Sequence, residues 1–288
     1  MLRILIWQVS DDKTFKDYAL QILEYQHDGL EIVGEAVNDD IAKVDRGGGG
    51  DYEILAVGAR KIGMNKVTQD ARRLNLPEEK LLGDWIVTIP GFTLEKYRKL
   101  QRSRLSIFAM NCFGGVMSNT LGLPFRSPFV NNGIRNPNEN IRFLSSPREY
   151  MEKHLILNKI VWQPVLKINY PIVTLGDVNI NMSHYPDFDE AVAKWNERKQ
   201  KINWYNICVT AYTEDKKILE QFDALPYGKK VCFVPFKSDL DSAWYINPEI
   251  KKGLEFWDIV NRFALGDPFY YDVFDMLLYG KKTPLIEM

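Results

Sequence analysis

Short apolar runs alternate with amphipathic stretches along the first part of the chain. Residues 2–7 form an apolar run of strand length, and residues 31–37 and 52–57 form two more. Residues 14–26 and 67–74 carry apolar side chains at helical spacing. Because strands that alternate with helices pair in parallel, this part is predicted to form a small doubly wound domain.

The second part of the chain continues this alternation over a longer series of elements. It opens with an apolar strand at residues 105–110. Further strands are predicted at residues 171–174, 178–184, 205–211 and 230–236, and helices near residues 147–158, 188–201 and 214–222. The stretch from Gly253 to Leu278 is predicted to be helical, and its aromatic side chains indicate either core packing or a homo-oligomer interface.

Together these patterns predict an α/β protein with two Rossmann-like subdomains, mostly parallel sheets and a helical C-terminal segment. The segment between residues 88 and 103 is polar and rich in helix breakers, which is typical of a domain boundary. We therefore expect one domain at residues 1–95 and a second at residues 103–288.

The turn after the first strand differs from that of a dinucleotide-binding domain. Such domains carry G-x-G-x-x-G there, because glycine lets the backbone approach the pyrophosphate. Residues 8–13 contain no glycine and place two carboxylates where a phosphate would lie. The glycine cluster at residues 47–50 is interpreted as a surface loop. The first domain is expected to resemble a nucleotide-binding module that has lost its nucleotide.

Composition excludes several classes of protein. The 37 Lys and Arg residues balance 38 Asp and Glu residues, and the formal net charge of −1 argues against a nucleic acid partner. No apolar run approaches the roughly 18 residues of a membrane helix, and the N-terminal residues do not resemble a signal peptide. The three cysteines are widely spaced, so no disulfide framework and no metal site is predicted. We expect a cytoplasmic protein, and no cofactor is identified.

The strand at residues 105–110 is followed by the motif Asn111-Cys112-Phe113-Gly114-Gly115 and then by a predicted helix. A helix N-terminus favours negative charge, and it lowers the pKa of a cysteine placed there. Cys112 is therefore a candidate nucleophile, with Gly114 and Gly115 as candidate donors to a phosphate or oxyanion and Asn111 as a substrate contact. The alternative is a buried structural thiol in a tight turn.

A second motif lies at residues 177–185, where strand alternation places Val178, Ile180 and Met182 on one face and polar residues on the other. His184 and Tyr185 end this strand, where ligands of α/β proteins bind. We interpret His184 as a general acid or base, with Asp177 as a further catalytic candidate and Tyr185 as a substrate contact. A hydrogen-bonded structural histidine is the alternative.

The helix that follows carries further candidates. Asp187 and Glu190 form a capping pair, which also accounts for the D-x-D triplet that begins at the first of them. Lys194, Arg198 and Lys201 share another face and are predicted to bind a phosphate group, with a solvated surface as the alternative.

Aromatic and amide side chains crowd together at residues 202–206, just after this helix, and include Asn203 and Trp204. On the helix itself Trp195 is predicted to share the buried stripe with Ala191 and Val192, and it is also assigned to the same pocket as Asn203 and Trp204. Sugar-binding pockets combine apolar ring faces with a few placed polar groups. Trp195, Asn203 and Trp204 are therefore candidates for a sugar-binding pocket, with packing between strands as the alternative.

Several ordered motifs resemble one bacterial family. They are Asn111 to Gly115, Leu121 to Pro128, Tyr170-Pro171, Leu175-Gly176-Asp177, His184-Tyr185, Glu190-Ala191, Lys194-Trp195, Arg198, Lys201-Ile202-Asn203, Phe222 to Tyr227 and Lys229-Lys230-Val231. Over residues 105–240 the chain resembles the "domain of unknown function nineteen-nineteen" family, whose members are often labelled exopolysaccharide biosynthesis proteins. Phe113 stands where that family typically has Trp, and residues 129–150 follow its pattern poorly.

The resemblance implies a role in surface polysaccharide assembly. The first hypothesis is a transferase acting on a sugar, nucleotide-sugar or polysaccharide precursor. The second is a non-catalytic binding or scaffold protein of the assembly machinery. The third is hydrolysis or acyl transfer that uses Cys112 and His184, provided that the two side chains meet in space.

Overall fold

The fold is given by a computed structural model that describes residues 1–9, 15, 17–46, 51–58, 63–163, 167–251, 253–256, 258–260 and 271–285. Most of the turn at residues 8–13, the glycines at 47–50 and most of the C-terminal aromatic residues lie outside these ranges. The chain divides into two compact units. The first comprises Met1–Arg98 and Asn119–Leu123, and the second comprises Lys99–Ser118 and Pro124–Met288.

The first unit contains a four-stranded sheet in which the described strand pairs are all parallel. Its strands, in chain order, are β1 (Leu2–Gln8), β2 (Leu30–Val37), β3 (Ile54–Gly58) and β4 (Leu81–Gly83). Its helices are α1 (Asp17–Gln26), α2 (Ile41–Arg46), α3 (Met64–Leu74) and α4 (Asp84–Val87). The order across the sheet is β2-β1-β3-β4. Every residue of β3 is buried, as expected for a central parallel strand covered on both faces.

The second unit is built on another parallel sheet and on helices around it. The strands are β5 (Ser106–Ala109), β9 (Ile207–Tyr212), β10 (Lys230–Val234) and β11 (Ala243–Tyr245), in the order β11-β10-β9-β5. Helices α5 (Leu94–Arg102) and α6 (Phe113–Leu121) each contribute residues to both units. The other helices described in the second unit are α7 (Pro137–Ser145), α8 (Pro147–Glu152), α9 (Phe188–Lys199), α10 (Lys216–Asp223) and α11 (Val273–Tyr279). The predicted α/β class is confirmed.

A three-stranded antiparallel sheet also belongs to the second unit and was not predicted. It consists of β6 (Leu155–Gln163), β7 (Ile168–Leu175) and β8 (Val178–Asn181). The prediction of one helix over residues 147–158 is wrong in its second half, because α8 ends at Glu152 and the chain becomes extended at Lys153. The apolar, partly β-branched sequence of β6 favours a strand over a continued helix.

The core of the second unit lies between one face of the parallel sheet and one face of the antiparallel sheet. Phe108 and Val209 contribute from β5 and β9, and Val178 and Ile180 contribute from β8. The predicted alternation along residues 178–182 is confirmed, since Val178, Ile180 and Met182 are all fully buried. The other face of β8 therefore carries polar residues.

In the C-terminal stretch, Phe274 on α11 is fully buried, which agrees with core packing at that position. Trp257, Phe263, Phe269 and Tyr270 lie outside the described residues, so the predicted oligomer interface stays a prediction. Across the described ranges, none of the helices has both the length and the apolar character that crossing a bilayer requires.

Candidate functional site

Cys112 lies at the carboxyl edge of the parallel sheet, where ligands of α/β proteins bind. The N–H of Met110 still donates to the carbonyl of Thr210, at 3.0 Å, so sheet pairing continues to this point. The side chain of Asn111 accepts a hydrogen bond from the N–H of Phe113 at 3.1 Å. Helix α6 starts there, and its first turn closes between the N–H of Val116 and the carbonyl of Cys112.

The two glycines of the motif allow close packing around the start of α6. A Cβ at Gly114 would lie 3.1 Å from the Ile107 side chain, and one at Gly115 would lie 3.2 Å from the Val130 side chain. Their N–H groups belong to the first turn of the helix, where the backbone offers no helical acceptor. Both glycines are buried, and the contact of their N–H groups with an anion stays a prediction.

A short segment around Gly133 crosses the end of β5. Ile134 donates its N–H to the carbonyl of Met110 at 3.0 Å, and Gly133 and Asn181 exchange two backbone hydrogen bonds of 3.1 and 2.9 Å. A Cβ at Gly133 would lie only 2.5 Å from the Met110 carbonyl oxygen and 3.1 Å from the Cα of Asn111. Gly133 thus ties the end of β8 to the end of β5, and only glycine fits there.

This crossing brings the two best sequence candidates into contact. His184 follows β8 in a turn that is closed by a hydrogen bond from the Tyr185 N–H to the Met182 carbonyl. The Nε2 atom of His184 lies 3.7 Å from the Sγ atom of Cys112. Two residues that are 72 positions apart in sequence therefore form a thiol–imidazole pair.

The protonation of this pair follows from its surroundings. Burial raises the pKa of the Cys112 thiol above its ordinary value, and the positive charge of Arg135 opposes that shift. Burial also lowers the pKa of His184. The sequence predicted a lowered thiol pKa from the helix N-terminus, and that direction is wrong because burial outweighs the favourable charge. At neutral pH the pair is a neutral thiol beside a neutral imidazole.

Arg135 and Tyr212 complete this edge of the sheet, and sequence reasoning missed both. The positive charge of Arg135 favours the ionised forms of the Cys112 thiol and of the Tyr212 hydroxyl. Within the described part of the chain, the Arg135 guanidinium makes no hydrogen bond and no ion pair. The sequence feature that could have identified Arg135 is the helix start at Asn136-Pro137, because it places Arg135 in an exposed loop just before the helix.

Tyr185 and Arg198 hold the segment that leads to Gly133. Tyr185 is buried and donates its hydroxyl hydrogen to the carbonyl of Val130 at 2.8 Å. Arg198 donates to the same carbonyl and to the Tyr185 hydroxyl, and its guanidinium lies 5.3 Å from the ring centre of Phe125. The structure gives these two residues a positioning role, and their predicted contact with substrate stays a prediction.

Asp177 lies at the opposite end of β8 from His184. Its carboxylate accepts a hydrogen bond of 2.6 Å from the Tyr150 hydroxyl and pairs with Arg142 at 3.1 Å. The Tyr150 hydrogen bond is the main reason that the pKa of Asp177 falls below its ordinary value. The predicted catalytic role of Asp177 is therefore not supported, because the strand separates it from the pair.

The three residues predicted to hold a sugar ring lie elsewhere. Trp195 is only 2% exposed and packs edge-on against Phe129, so its ring belongs to the core. Asn203 donates to Ser106 and Arg104 at the start of β5, which is the opposite edge of the sheet from Cys112. Trp204 packs against Phe108, and Arg148 covers its ring at 4.4 Å.

The basic face of α9 is largely neutralised by its own helix. Lys194 and Lys201 both pair with Glu197, at 3.2 and 2.6 Å, and these contacts lower the pKa of Glu197 to about 2. Asp187 caps the helix by accepting the N–H of Glu190 at 2.8 Å, as predicted. Neither feature adds a phosphate or metal site beside Cys112.

These observations define an α/β protein with a thiol–imidazole pair at the carboxyl edge of a parallel sheet. Residues 86–279 match the protein family described as "Domain of unknown function (DUF1919)". The chain belongs to this family. It is also similar to a protein of Haemophilus influenzae, named "Uncharacterized protein", with 30% identity over 183 residues, which are 62% of this chain and 84% of that protein.

The pH dependence of Cys112 alkylation tests the description of the thiol. Because burial raises its pKa, we expect modification by iodoacetamide to be slow at neutral pH and to rise through a midpoint above 9.0, the ordinary thiol value. Arg135→Gln should move that midpoint higher, since it removes the charge that favours the thiolate. Mass spectrometry of the native protein measures the midpoint of alkylation in the unaltered chain and in Arg135→Gln. The fully buried Cys208 and Cys232 serve as unmodified internal controls. A midpoint below 9.0 would contradict this description.

Replacement of the crossing glycine tests how the pair is held. In Gly133→Ala the new Cβ has no room, and we expect the free energy of unfolding to fall by about 1–3 kcal/mol in urea titrations. Gly228→Ala is the matched control, because nothing lies within 4 Å of a Cβ there. Equal stability of the two variants would show that the crossing is looser than described.

Proposed function

We propose that this chain is a transferase that acts on an activated sugar or polysaccharide precursor, with Cys112 and His184 as its reactive pair. The observation that supports this proposal is the 3.7 Å separation of Sγ and Nε2 at the carboxyl edge of a parallel sheet. A thiol within reach of an imidazole base is the arrangement used for covalent catalysis. Of the transfer reactions considered, it favours transfer of an acyl group.

In the proposed reaction the Nε2 atom of His184 accepts the thiol proton while Sγ attacks the carbonyl carbon of an acyl donor. The leaving group departs with that proton, and an acyl thioester remains on Cys112. A sugar hydroxyl then gives its proton to His184 and attacks the thioester carbonyl. The thiolate leaves and recovers the proton, so the enzyme returns to its starting state.

Two other groups support this chemistry. The N–H groups of Gly114 and Gly115 lie in the first turn of α6, directly after Cys112, and are suited to stabilise the oxyanion that forms on the attacked carbonyl. The charge of Arg135 favours the thiolate, which forms and leaves in turn. Both contributions act in the transition state more than in the resting neutral pair.

The biological setting that we propose rests on the resemblance of the motifs to proteins labelled for exopolysaccharide biosynthesis. In that setting the acceptor is a hydroxyl group of a polysaccharide precursor, and the reaction takes place in the cytoplasm. The N-terminal unit, which we compare with a Rossmann-like module, is not assigned a nucleotide.

A second candidate is a non-catalytic scaffold of the assembly machinery. It is favoured by β6, where Ile156 is 65% exposed and Trp162 is 55% exposed. Exposed apolar side chains on a strand are typical of a surface that contacts another protein. Light scattering of the purified chain tests this candidate, because a scaffold that assembles through β6 should be an oligomer that Trp162→Lys dissociates.

Formation of an acyl adduct on Cys112 tests the proposed transferase. We expect incubation with acetyl-coenzyme A, as a simple thioester donor, to add one acetyl group to Cys112, detected by peptide mass spectrometry. His184→Gln should slow this step by about 100-fold, because the proton acceptor is lost. His154→Gln is the matched control, since that histidine is exposed and lies outside the site.

The outcome also separates acyl transfer from glycosyl transfer. Cys112→Ser should form no thioester and should not turn over acyl donors onto sugar acceptors. If Cys112→Ala consumes a nucleotide sugar as fast as the unaltered chain, the transferred group is a glycosyl group and the covalent mechanism is wrong. If a panel of acyl donors gives no adduct at all, acyl transfer is rejected.

A further inference from the structure

A polar cleft of about 240 Å³ lies on the outer face of the antiparallel sheet, near the crossing at Gly133. Four asparagines, from β6, β8 and the start of α7, contribute to its lining. Arg135 and Lys159 add two positive charges, and Glu139 adds one negative charge. Ile172 completes the lining, and the cleft is open to solvent, with apolar atoms contributing most of its accessible surface.

An irregularity in β6 directs two neighbouring side chains into the cleft. Leu157 is opposite Val173 and Lys159 is opposite Ile172, so Asn158 is an extra residue in the ladder. In a regular strand consecutive side chains point to opposite faces, whereas Asn158 and Lys159 both line the cleft. Bulges of this kind commonly re-aim side chains next to functional sites.

The polar face of β8 supplies the opposite side of the cleft. Asn179 and Asn181 line it, while their neighbours Val178 and Ile180 are buried in the core. Asn179 accepts a hydrogen bond of 3.0 Å from the Asn158 side chain. The N–H of Asn179 donates to Glu139 at 2.6 Å, so that carboxylate is already held by the protein.

The two positively charged side chains of the cleft, Arg135 and Lys159, are available to bind a ligand. Among the described residues, neither Arg135 nor Lys159 makes a hydrogen bond or an ion pair. With Glu139 counted, the cleft carries one excess positive charge. Guanidinium groups match carboxylates and phosphates in geometry. The Asn179 amide is already used by the protein, since its oxygen accepts from Asn158 and Thr174 and its nitrogen donates to Glu139. The other side-chain amides of the lining can donate to and accept from hydroxyl groups. The cleft therefore suits a ligand that combines several hydroxyls with one anionic group.

We propose that this cleft binds an anionic sugar, one that carries a carboxylate or a phosphate. Arg135 is shared with the reactive pair, because it lines the cleft and its charge also acts on the Cys112 thiol. The sugar bound here is therefore the acceptor of the transferred group. This assignment as acceptor rests on the proposed function, whereas the binding itself does not.

Calorimetric titration of the full chain tests the binding. The probes are sodium glucuronate, glucose 1-phosphate and, as the neutral comparison, glucose. We expect at least one anionic sugar to bind, and glucose to bind at least about tenfold more weakly or not at all, since it lacks the charge-assisted contact. Binding of glucuronate alone identifies a carboxylate ligand, and binding of glucose 1-phosphate alone identifies a phosphate ligand.

Variants of the two cations locate the site. Arg135→Gln and Lys159→Gln should each weaken binding of the anionic sugar about tenfold. Both side chains are exposed, so melting temperatures should stay unchanged. Lys217→Gln, an exposed lysine outside the cleft, is the matched control and should bind as the unaltered chain does. The proposal is overturned if no anionic sugar binds, if glucose binds equally well, or if both cleft variants bind normally.

The same data separate this proposal from the proposed transferase. If anionic sugars bind in the cleft and no acyl adduct forms on Cys112, the binding site stands and the transfer chemistry fails. If the adduct forms and no anionic sugar binds, the transfer chemistry stands and the cleft proposal fails.

Discussion

The candidate site depends on one steric constraint, the close crossing of Gly133 over the end of β5. A side chain at this position would collide with the Met110 carbonyl oxygen, so the approach is open only to glycine. The crossing lets Gly133 pair with Asn181 and thereby fixes the end of β8. His184 follows three residues later, and its contact with Cys112 is a consequence of where these two strands end.

The same crossing makes the reactive pair and the polar cleft neighbours. Arg135 comes two residues after Gly133, lines the cleft and acts through its charge on the Cys112 thiol. Asn181, which pairs with Gly133, lines the cleft from the other side. Residues Tyr185 and Arg198 hold the chain just before the crossing through the carbonyl of Val130. A bound anion at Arg135 would weaken the charge that favours the thiolate, so occupancy of the cleft and reactivity of the thiol are linked.

The features that the sequence predicts well are local ones, formed by residues close together in the chain. The strand, glycine turn and helix around Cys112, and the alternation along residues 178–182, each follow from a local periodicity. The antiparallel pairing of β6 and the nearness of Cys112 to His184 are long-range properties that no local pattern encodes. Burial of a site also depends on the finished fold, which is why the thiol pKa shift was predicted with the wrong sign. Helical spacing, in contrast, already placed Trp195 on the buried stripe of α9, and its core position agrees with that prediction and not with the sugar pocket.

The central claim is that the crossing at Gly133 holds His184 against Cys112. Titration of His184, followed by NMR of its imidazole protons, is the most direct test of this claim. We expect the pKa of His184 to lie below its ordinary value of 6.5 in the unaltered chain, because burial beside Cys112 disfavours the imidazolium. We also expect Gly133→Ala to return this pKa toward 6.5, since the crossing no longer holds the end of β8. The His184→Gln variant assigns the signal. A midpoint at or above 6.5 in the unaltered chain, or one that Gly133→Ala leaves unmoved, would contradict the account.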